Sequence, residues 1–316
     1  MKLQISSSVG KEGKNAGKDV KLIRALLNTY LRKNNKAALS ITEKSDEELI
    51  NTITDFQKNH QKLNKPDGQI TSSNSGSFKA LVAFMKSTRT SVALKAPSRG
   101  VVTWEAEGNE GGRFHSRVLH VPSATSGLTI GRGYDMKNRS GAEIKKDLVK
   151  ANADTNKAAT ISKGAGLSGK TAEQFIIDSD LLDFEITADT QLKLFENIYS
   201  DYVSTVKRIC SGKTVQGKYG KIDRGVLDKD IIDILADMTF RGDYNGDSRK
   251  IIQKAVAEND FETFRKKITN KKNWGTWPKD RFERRKEFLD NSVKLRKKVN
   301  GKAPKLSVPK PTGTPE

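Results

Sequence analysis

The passage from Asn109 to Lys137 cannot be one continuous helix, and this limits everything else the chain can form. Gly111, Gly112, Gly127, Gly131 and Gly133 punctuate it, and Pro122 removes a backbone donor near its centre. It has to be built from loops and short strands. It follows an acidic stretch, Glu105-Ala106-Glu107-Gly108-Asn109-Glu110-Gly111-Gly112, and closes on Thr129-Ile130-Gly131-Arg132-Gly133-Tyr134-Asp135. Carboxylates therefore stand at both ends of one turn-rich segment.

Helical patterns surround it. Residues 1–90 read as one small unit. Asp19 is placed to cap a helix that carries Val20, Ile23, Leu26, Leu27, Tyr30 and Leu31 at helical spacing. Ser45 or Asp46 starts a second helix, with Leu49, Ile50, Ile53, Phe56 and Gln57. A third holds Phe78, Leu81, Val82 and Met85. Pro66-Asp67-Gly68 signals a turn, and Gln69-Ile70 a short extended piece. Thr88 to Ser98 has no apolar repeat and reads as a linker.

A second unit covers 98–300. Ser98 is expected to cap a helix through Val101, Val102 and Trp104 that ends near Glu107-Gly108. Later apolar stripes run from Phe195 to Ile209, Ile231 to Thr239, Ile251 to Val256 and Phe261 to Ile268. Pro304, Pro309, Pro311 and Pro315 predict a disordered tail over 301–316. The expected fold class is mainly α, with a small β region inside the second unit.

Charge narrows the partners. Lys and Arg number 58 against 38 Asp and Glu, a net charge of +20. Such an excess suits a polyanion, whether nucleic acid or an anionic bacterial envelope, or simply a solvated surface. The basic residues spread over the whole chain and form no nucleic-acid motif, so no nucleic-acid partner is expected. Cys210 is the one cysteine, which excludes an internal disulfide. Met1 to Ser7 lacks the apolar core of a secretory signal, and no stretch reaches the ~20 apolar residues of a membrane span. Synthesis and folding in the cytoplasm, without membrane insertion, are expected.

Several chemistries lack their residues. Gly131-x-Gly133 has no third glycine and no following Gly-Lys-Ser/Thr, so it is not a phosphate loop. His115 and His120 have no cysteine or acid at ligand spacing, and a loop hydrogen bond suits them better than zinc. No Gly-x-Ser-x-Gly motif is present, and Cys210 has no flanking histidine. No cofactor and no metal are expected.

Two family resemblances emerge from these residues. Asp19-Val20, Leu26-Leu27-Asn28, Ile53-x-x-Phe56-Gln57 and Asp67-Gly68-x-Ile70 before a final helix make residues 8–85 resemble the small three-helix peptidoglycan-binding domain. A lysine-rich insertion over Leu31–Lys44 departs from it. Ala106-Glu107-Gly108-Asn109, Ser126 to Met136, Gly164-Ala165-Gly166-Leu167-x-Gly169 and Asp237-Met238-Thr239-Phe240-Arg241-Gly242 resemble the phage-type lysozyme superfamily, in its pesticin-like branch of muramidase toxins. Asn273-Trp274 with Pro278, Arg281 and Arg285 resembles the closing helices of T-even phage lysozyme. In the T-even enzymes the catalytic aspartate precedes Thr-Ile-Gly, but residues 108–128 contain none. The pesticin-like branch places it just after Gly-x-Gly, where Asp135 stands.

The resemblance implies an α+β lysozyme-like muramidase domain behind the peptidoglycan-binding-like one. Glycosidic hydrolysis needs one protonated and one ionised carboxyl. A carboxyl at a helix C-terminus beside apolar groups holds its proton better than a solvated one, so Glu107 is the expected acid, with Glu110 and Glu105 as alternatives. Asp135 serves as base, water-orienter or electrostatic stabiliser, or else closes an Asx-type turn. Thr129 presents a hydroxyl to hold a water. Gly131 and Gly133 allow substrate close to the backbone, or a tight hairpin. Tyr134 and Arg241 complete the substrate-binding set, although Arg241, Arg281 and Arg285 could equally form salt bridges.

The activity implied is cleavage between N-acetylmuramic acid and N-acetylglucosamine, in the periplasm or cell wall after delivery. A secreted antibacterial effector would add an immunity protein and a secretion-machine component to the partners. A phage endolysin, and a non-catalytic envelope-binding protein of the same fold, remain the alternatives.

Overall fold

The computed structural model describes residues 2–89, 92–111, 115–275 and 277–301. The tail expected over 301–316 lies outside the described residues from 302 onward. Thirteen α-helices and two small two-stranded sheets are described, and the protein is mainly helical. Among the described residues no helix is long and apolar enough to cross a membrane. The chain divides into two compact units, Met1–Ile198 and Tyr199–Glu316.

In the first unit, α1 (Gly17–Lys33) buries the expected stripe, with Val20, Ile23, Leu26 and Leu27 fully covered. Asp19 does not cap it. The helix begins one turn earlier, behind Ala16, and Asp19 sits within its first turn. There one carboxylate oxygen accepts hydrogen bonds from the N–H groups and hydroxyls of Ser6 and Ser7, at 2.8–3.0 Å. The N-terminal segment thus takes the acid that the sequence offers to the helix end. It continues into β1 (Val9–Gly10), which pairs antiparallel with β2 (Gln69–Ile70), the expected extended piece.

Asp46 caps α2 (Glu47–Asp55) through the Leu49 N–H at 3.0 Å. Beyond α2 the backbone widens into a π-turn, Phe56–His60, which carries Gln57 inward. The buried Gln57 amide accepts from the Asp67 and Gly68 N–H groups and donates to Asp67, the Gln69 carbonyl and Ser77. Ser77 opens α3 (Gly76–Ser87), capped by Ser75. The lysine-rich insertion between α1 and α2 has no regular structure. Arg24, almost fully buried, holds it through the Ser40 and Lys44 carbonyls, and Asn28 exchanges two bonds with Leu39.

The remainder of this unit contains α4 (Val101–Ala106), β3 (Thr129–Ile130), β4 (Tyr134–Asp135), α5 (Gly141–Lys150), α6 (Thr155–Ser162) and α7 (Gly169–Asp178). Ser140 and Asp154 cap α5 and α6. Arg32 on α1 binds Asp180 at 2.6 Å and Asp183 at 2.7 Å, and Lys21 reaches Asp178 at 3.3 Å. The buried apolar residues of α1–α3 run without interruption into those of 119–198. The expected boundary at 90–98 therefore lies between two segments that share one core. The division into units falls later, inside α8 (Ala188–Cys210).

The second unit holds α9 (Lys213–Tyr219), α10 (Lys229–Phe240), α11 (Gly246–Ala257), α12 (Phe261–Thr269) and α13 (Lys279–Gly301). Ile231, Ile234, Leu235 and Met238 of α10 are completely buried, which stabilises the unit by roughly 1.5–3 kcal/mol apiece. Asp237, on the same helix, is equally buried. It meets Arg281 at 2.5 Å and Arg285 at 2.7 Å, both from α13. Arg285 also reaches Asp243 at 2.8 Å and covers one face of Trp277, whose ring stacks on Trp274 at 4.1 Å.

A buried pair that loses one member leaves an uncompensated charge, at a cost of about 3–5 kcal/mol. Arg285→Met should therefore destabilise the second unit by about that amount in urea unfolding followed by the fluorescence of Trp274 and Trp277. Arg241→Met removes only a 3.5 Å contact to Asp243 from a one-third-exposed side chain, and should cost less than about 1 kcal/mol.

Candidate active site

The six-residue helix α4 carries a carboxylate at its C-terminal end. Gly100 stands at the N-cap in the left-handed conformation, two residues after Ser98, which does not cap the helix. Val102, Thr103 and Trp104 turn into the core, and Glu105 faces solvent. Glu107 is the C-cap, half-buried, with its N–H donated to the Thr103 carbonyl at 3.0 Å.

Helix ends leave carbonyls without intrahelical partners, and here an arginine takes them. Arg132 Nη1 donates to the Trp104 carbonyl at 2.7 Å and to the Gly108 carbonyl at 2.9 Å, while its guanidinium lies 4.3 Å from the Trp104 ring centre. A Cβ at Gly108 would come within 2.3 Å of Arg132 Cδ, so any other residue forces the arginine stem to shift. Glu107 sits between the two gripped carbonyls. Burial pulls the proton affinity of Arg132 below that of an ordinary guanidinium, with Glu110 and Glu105 opposing.

Arg132 comes from the tip of a hairpin. Thr129 pairs with Asp135 and Ile130 with Tyr134, leaving Gly131-Arg132-Gly133 to turn the chain. Gly131 and Gly133 have φ of 63° and 78°, a region that side chains with a Cβ rarely occupy. Of the two roles open to these glycines, the tight hairpin is the one described. Its first strand exchanges two backbone bonds between Thr129 and His120, at 2.9 and 3.0 Å.

The hairpin side chains are more committed than the sequence suggests. Thr129 is buried, and its hydroxyl donates to the Gly127 carbonyl at 3.1 Å, so that hydrogen is spent inside the loop. Tyr134 has no exposed surface and donates to Asp147 at 2.8 Å. It anchors the hairpin to α5 and does not line an open subsite. Burial and the Asp147 carboxylate both raise the pKa of its phenol. Asp135 is half-buried and accepts from Gly127 N–H at 3.1 Å and Lys137 N–H at 2.7 Å, an Asx-type turn. Thr129 and Asp135 are cross-strand partners and so share one face of the hairpin.

Glu110 belongs to a different cluster. It accepts from Arg117 Nε at 2.9 Å and from Gln191 at 3.3 Å. Arg117 also meets Glu185 at 2.7 Å, and His115 Nε2 lies 2.9 Å from Glu185. Gly111 N–H donates to His115 Nδ1 at 2.7 Å, which leaves Nε2 as the protonated nitrogen facing Glu185. Arg117, Gln191 and Glu185 carry no sequence mark, since Glu185 arrives from 70 residues beyond His115. Arg241 lies in the second unit, where it pairs with Asp243. Among the described residues, no group of three or more His, Cys, Asp or Glu is placed to hold a metal ion.

A family model described as a domain of unknown function, DUF8812, matches residues 100–286, more than half of the chain, and the chain belongs to that family. The match opens at the N-cap of α4 and closes one residue after Arg285. No curated protein matches the chain.

Burial lowers the pKa of His120 below its ordinary 6.5, against an opposing hydrogen bond to the Val118 carbonyl. The folded state therefore keeps His120 neutral while the unfolded chain protonates. Its contribution is complete above pH 6.5 and declines as the pH falls below that value. The stability gap between the wild-type protein and His120→Gln should shrink from pH 7.5 to about pH 5, measured by urea unfolding. Gly108→Ala should destabilise the first unit at either pH, because Arg132 must leave both carbonyls.

Proposed function

We propose that this member of the DUF8812 family is a peptidoglycan muramidase with Glu107 as its general acid. The supporting observation is the clamp: Arg132 joins the carbonyls on both sides of Glu107 to the tip of the glycine hairpin. A helix-end carboxyl whose flanking carbonyls are tied to the hairpin suits a sugar chain laid along this segment. Glu107 protonates the leaving glycosidic oxygen. Asp135, on the Thr129 face, has carboxylate lone pairs beyond its two N–H contacts, and in this reading it orients water or steadies the positive sugar ring.

In this reading residues 98–300 form the lysozyme-like catalytic part, and residues 1–90 hold the enzyme to the wall. The enzyme acts in the periplasm of a target cell as an antibacterial effector. An immunity protein and a component of a secretion machine are its further partners.

The ties of Asp135 to Gly127 and Lys137 favour a second reading, in which Glu107 works alone. It would protonate the leaving oxygen and then take the proton from the C6 hydroxyl of the same sugar as that oxygen attacks C1. Mass analysis of digested peptidoglycan separates the two. Muramic reducing ends support the muramidase, and 1,6-anhydromuramic ends support the single-carboxylate route.

Glu107→Gln should lower the rate by ~10²–10⁴-fold, as expected for loss of a general acid, with the unfolding midpoint unchanged. Asp135→Asn should weaken hydrolysis severely under the first reading and mildly under the second. Undiminished wall lysis by Glu107→Gln would remove both. Export to the periplasm should kill a bacterial host, and Glu107→Gln should abolish that killing.

A further inference from the structure

A cleft of about 890 Å³ opens in the first unit between α3 and the segment around Val118 to His120. Its volume is at the upper end for sites that hold drug-sized ligands, ~300–1,000 Å³, larger than a simple anion needs. Phe78, Val82, Met85, Leu119 and Leu182 give it apolar walls. Lys2, Lys79, Lys86 and Arg89 give it cations. Glu110 is the one carboxylate among the described lining residues, and it is engaged by Arg117. Of the two histidines, His115 is bonded to Gly111 and Glu185, and His120 Nδ1 faces the Val118 carbonyl.

The order of residues along α3 specifies the ligand further. Lys79, Val82, Ala83 and Lys86 lie at i, i+3, i+4 and i+7, so they share one helix face. The face reads cation, apolar, apolar, cation. Neither lysine makes an ion pair with a described residue. Seven residues of helix separate them by about 10 Å. In a polyproline-II strand, residues three apart return to the same face after about 9 Å. An acidic residue, two apolar ones and a second acidic residue therefore match this stripe in both spacing and chemistry.

We propose that the cleft along α3 binds an extended peptide segment in which acidic side chains flank apolar pairs. Glu107 is not among the residues that line the cleft, and the binding proposed does not depend on hydrolytic activity.

The test uses the full chain and a fluorescein-labelled peptide, Asp-Leu-Leu-Asp-Leu-Leu-Asp, read by anisotropy. Saturable binding is expected, with at least tenfold weaker affinity for the Asp-Ser-Ser repeat and none for the Lys-Leu-Leu repeat. Lys79→Glu/Lys86→Glu should weaken binding at least tenfold with an unchanged circular dichroism spectrum. Ala83→Trp, which fills the cleft without altering charge, should do the same. Lys58→Glu/Lys65→Glu, the same charge change at exposed positions outside the cleft, should leave affinity as it was. Absence of binding, equal loss in both double variants, or equal affinity for the serine repeat would overturn the proposal. Displacement of the peptide by an equal concentration of laurate would reassign the cleft to a fatty-acid anion.

Discussion

One guanidinium holds the candidate site together. A six-residue helix cannot complete its own carbonyl ladder, and water would ordinarily satisfy the carbonyls at its end. Arg132 replaces that water with two hydrogen bonds from a hairpin tip, 28 residues beyond Trp104 and 24 beyond Gly108. The same side chain covers Trp104, whose ring meets Phe195 edge-on at 5.1 Å. Core aromatic, arginine, helix carbonyls and Glu107 are thus linked in sequence, each fixing the next. The absent side chain at Gly108 is what lets the arginine stem approach.

Elsewhere the first unit relies on the same device. Where regular structure stops, a buried polar side chain supplies the missing donors and acceptors. Gln57 completes the 67–69 turn, Asn28 completes Leu39, and Arg24 completes Lys44. Arg117 does so for the Ile186 carbonyl while meeting two carboxylates. Each of these groups is costly to bury alone and is retained because its partners are satisfied with it.

The sequence revealed what depends on local spacing. The α1 stripe, the Asp46 cap, the Gln69-Ile70 strand and the stripes of α8, α10, α11 and α12 follow from apolar period and cap chemistry. The limits of the non-helical passage follow from its glycines. Asp19 was misplaced because a carboxylate near a helix start can serve the preceding segment as well as the helix, and Ser6 and Ser7 offered more donors. No stripe marked α5 to α7, where helices of eight to ten residues carry only a few buried positions each. The π-turn at Phe56–His60 has no composition of its own. Within the site, Glu107 and the hairpin were legible as a motif, but the commitments of Tyr134 and Asp135 were not. Those depend on Asp147 and on Gly127 and Lys137 once the chain has folded. The partnership of Glu110 with Arg117 needed residues that tertiary contact alone brings together.

The salt-bridged Asp237 has a consequence for the order of folding. Its helix, α10, is synthesised more than 40 residues before Arg281 and Arg285. Without α13 the Asp237 carboxylate lacks its two guanidinium partners, and burying it would cost the desolvation of that charge. Docking of α13 supplies the counter-charges with which α10 buries this acid.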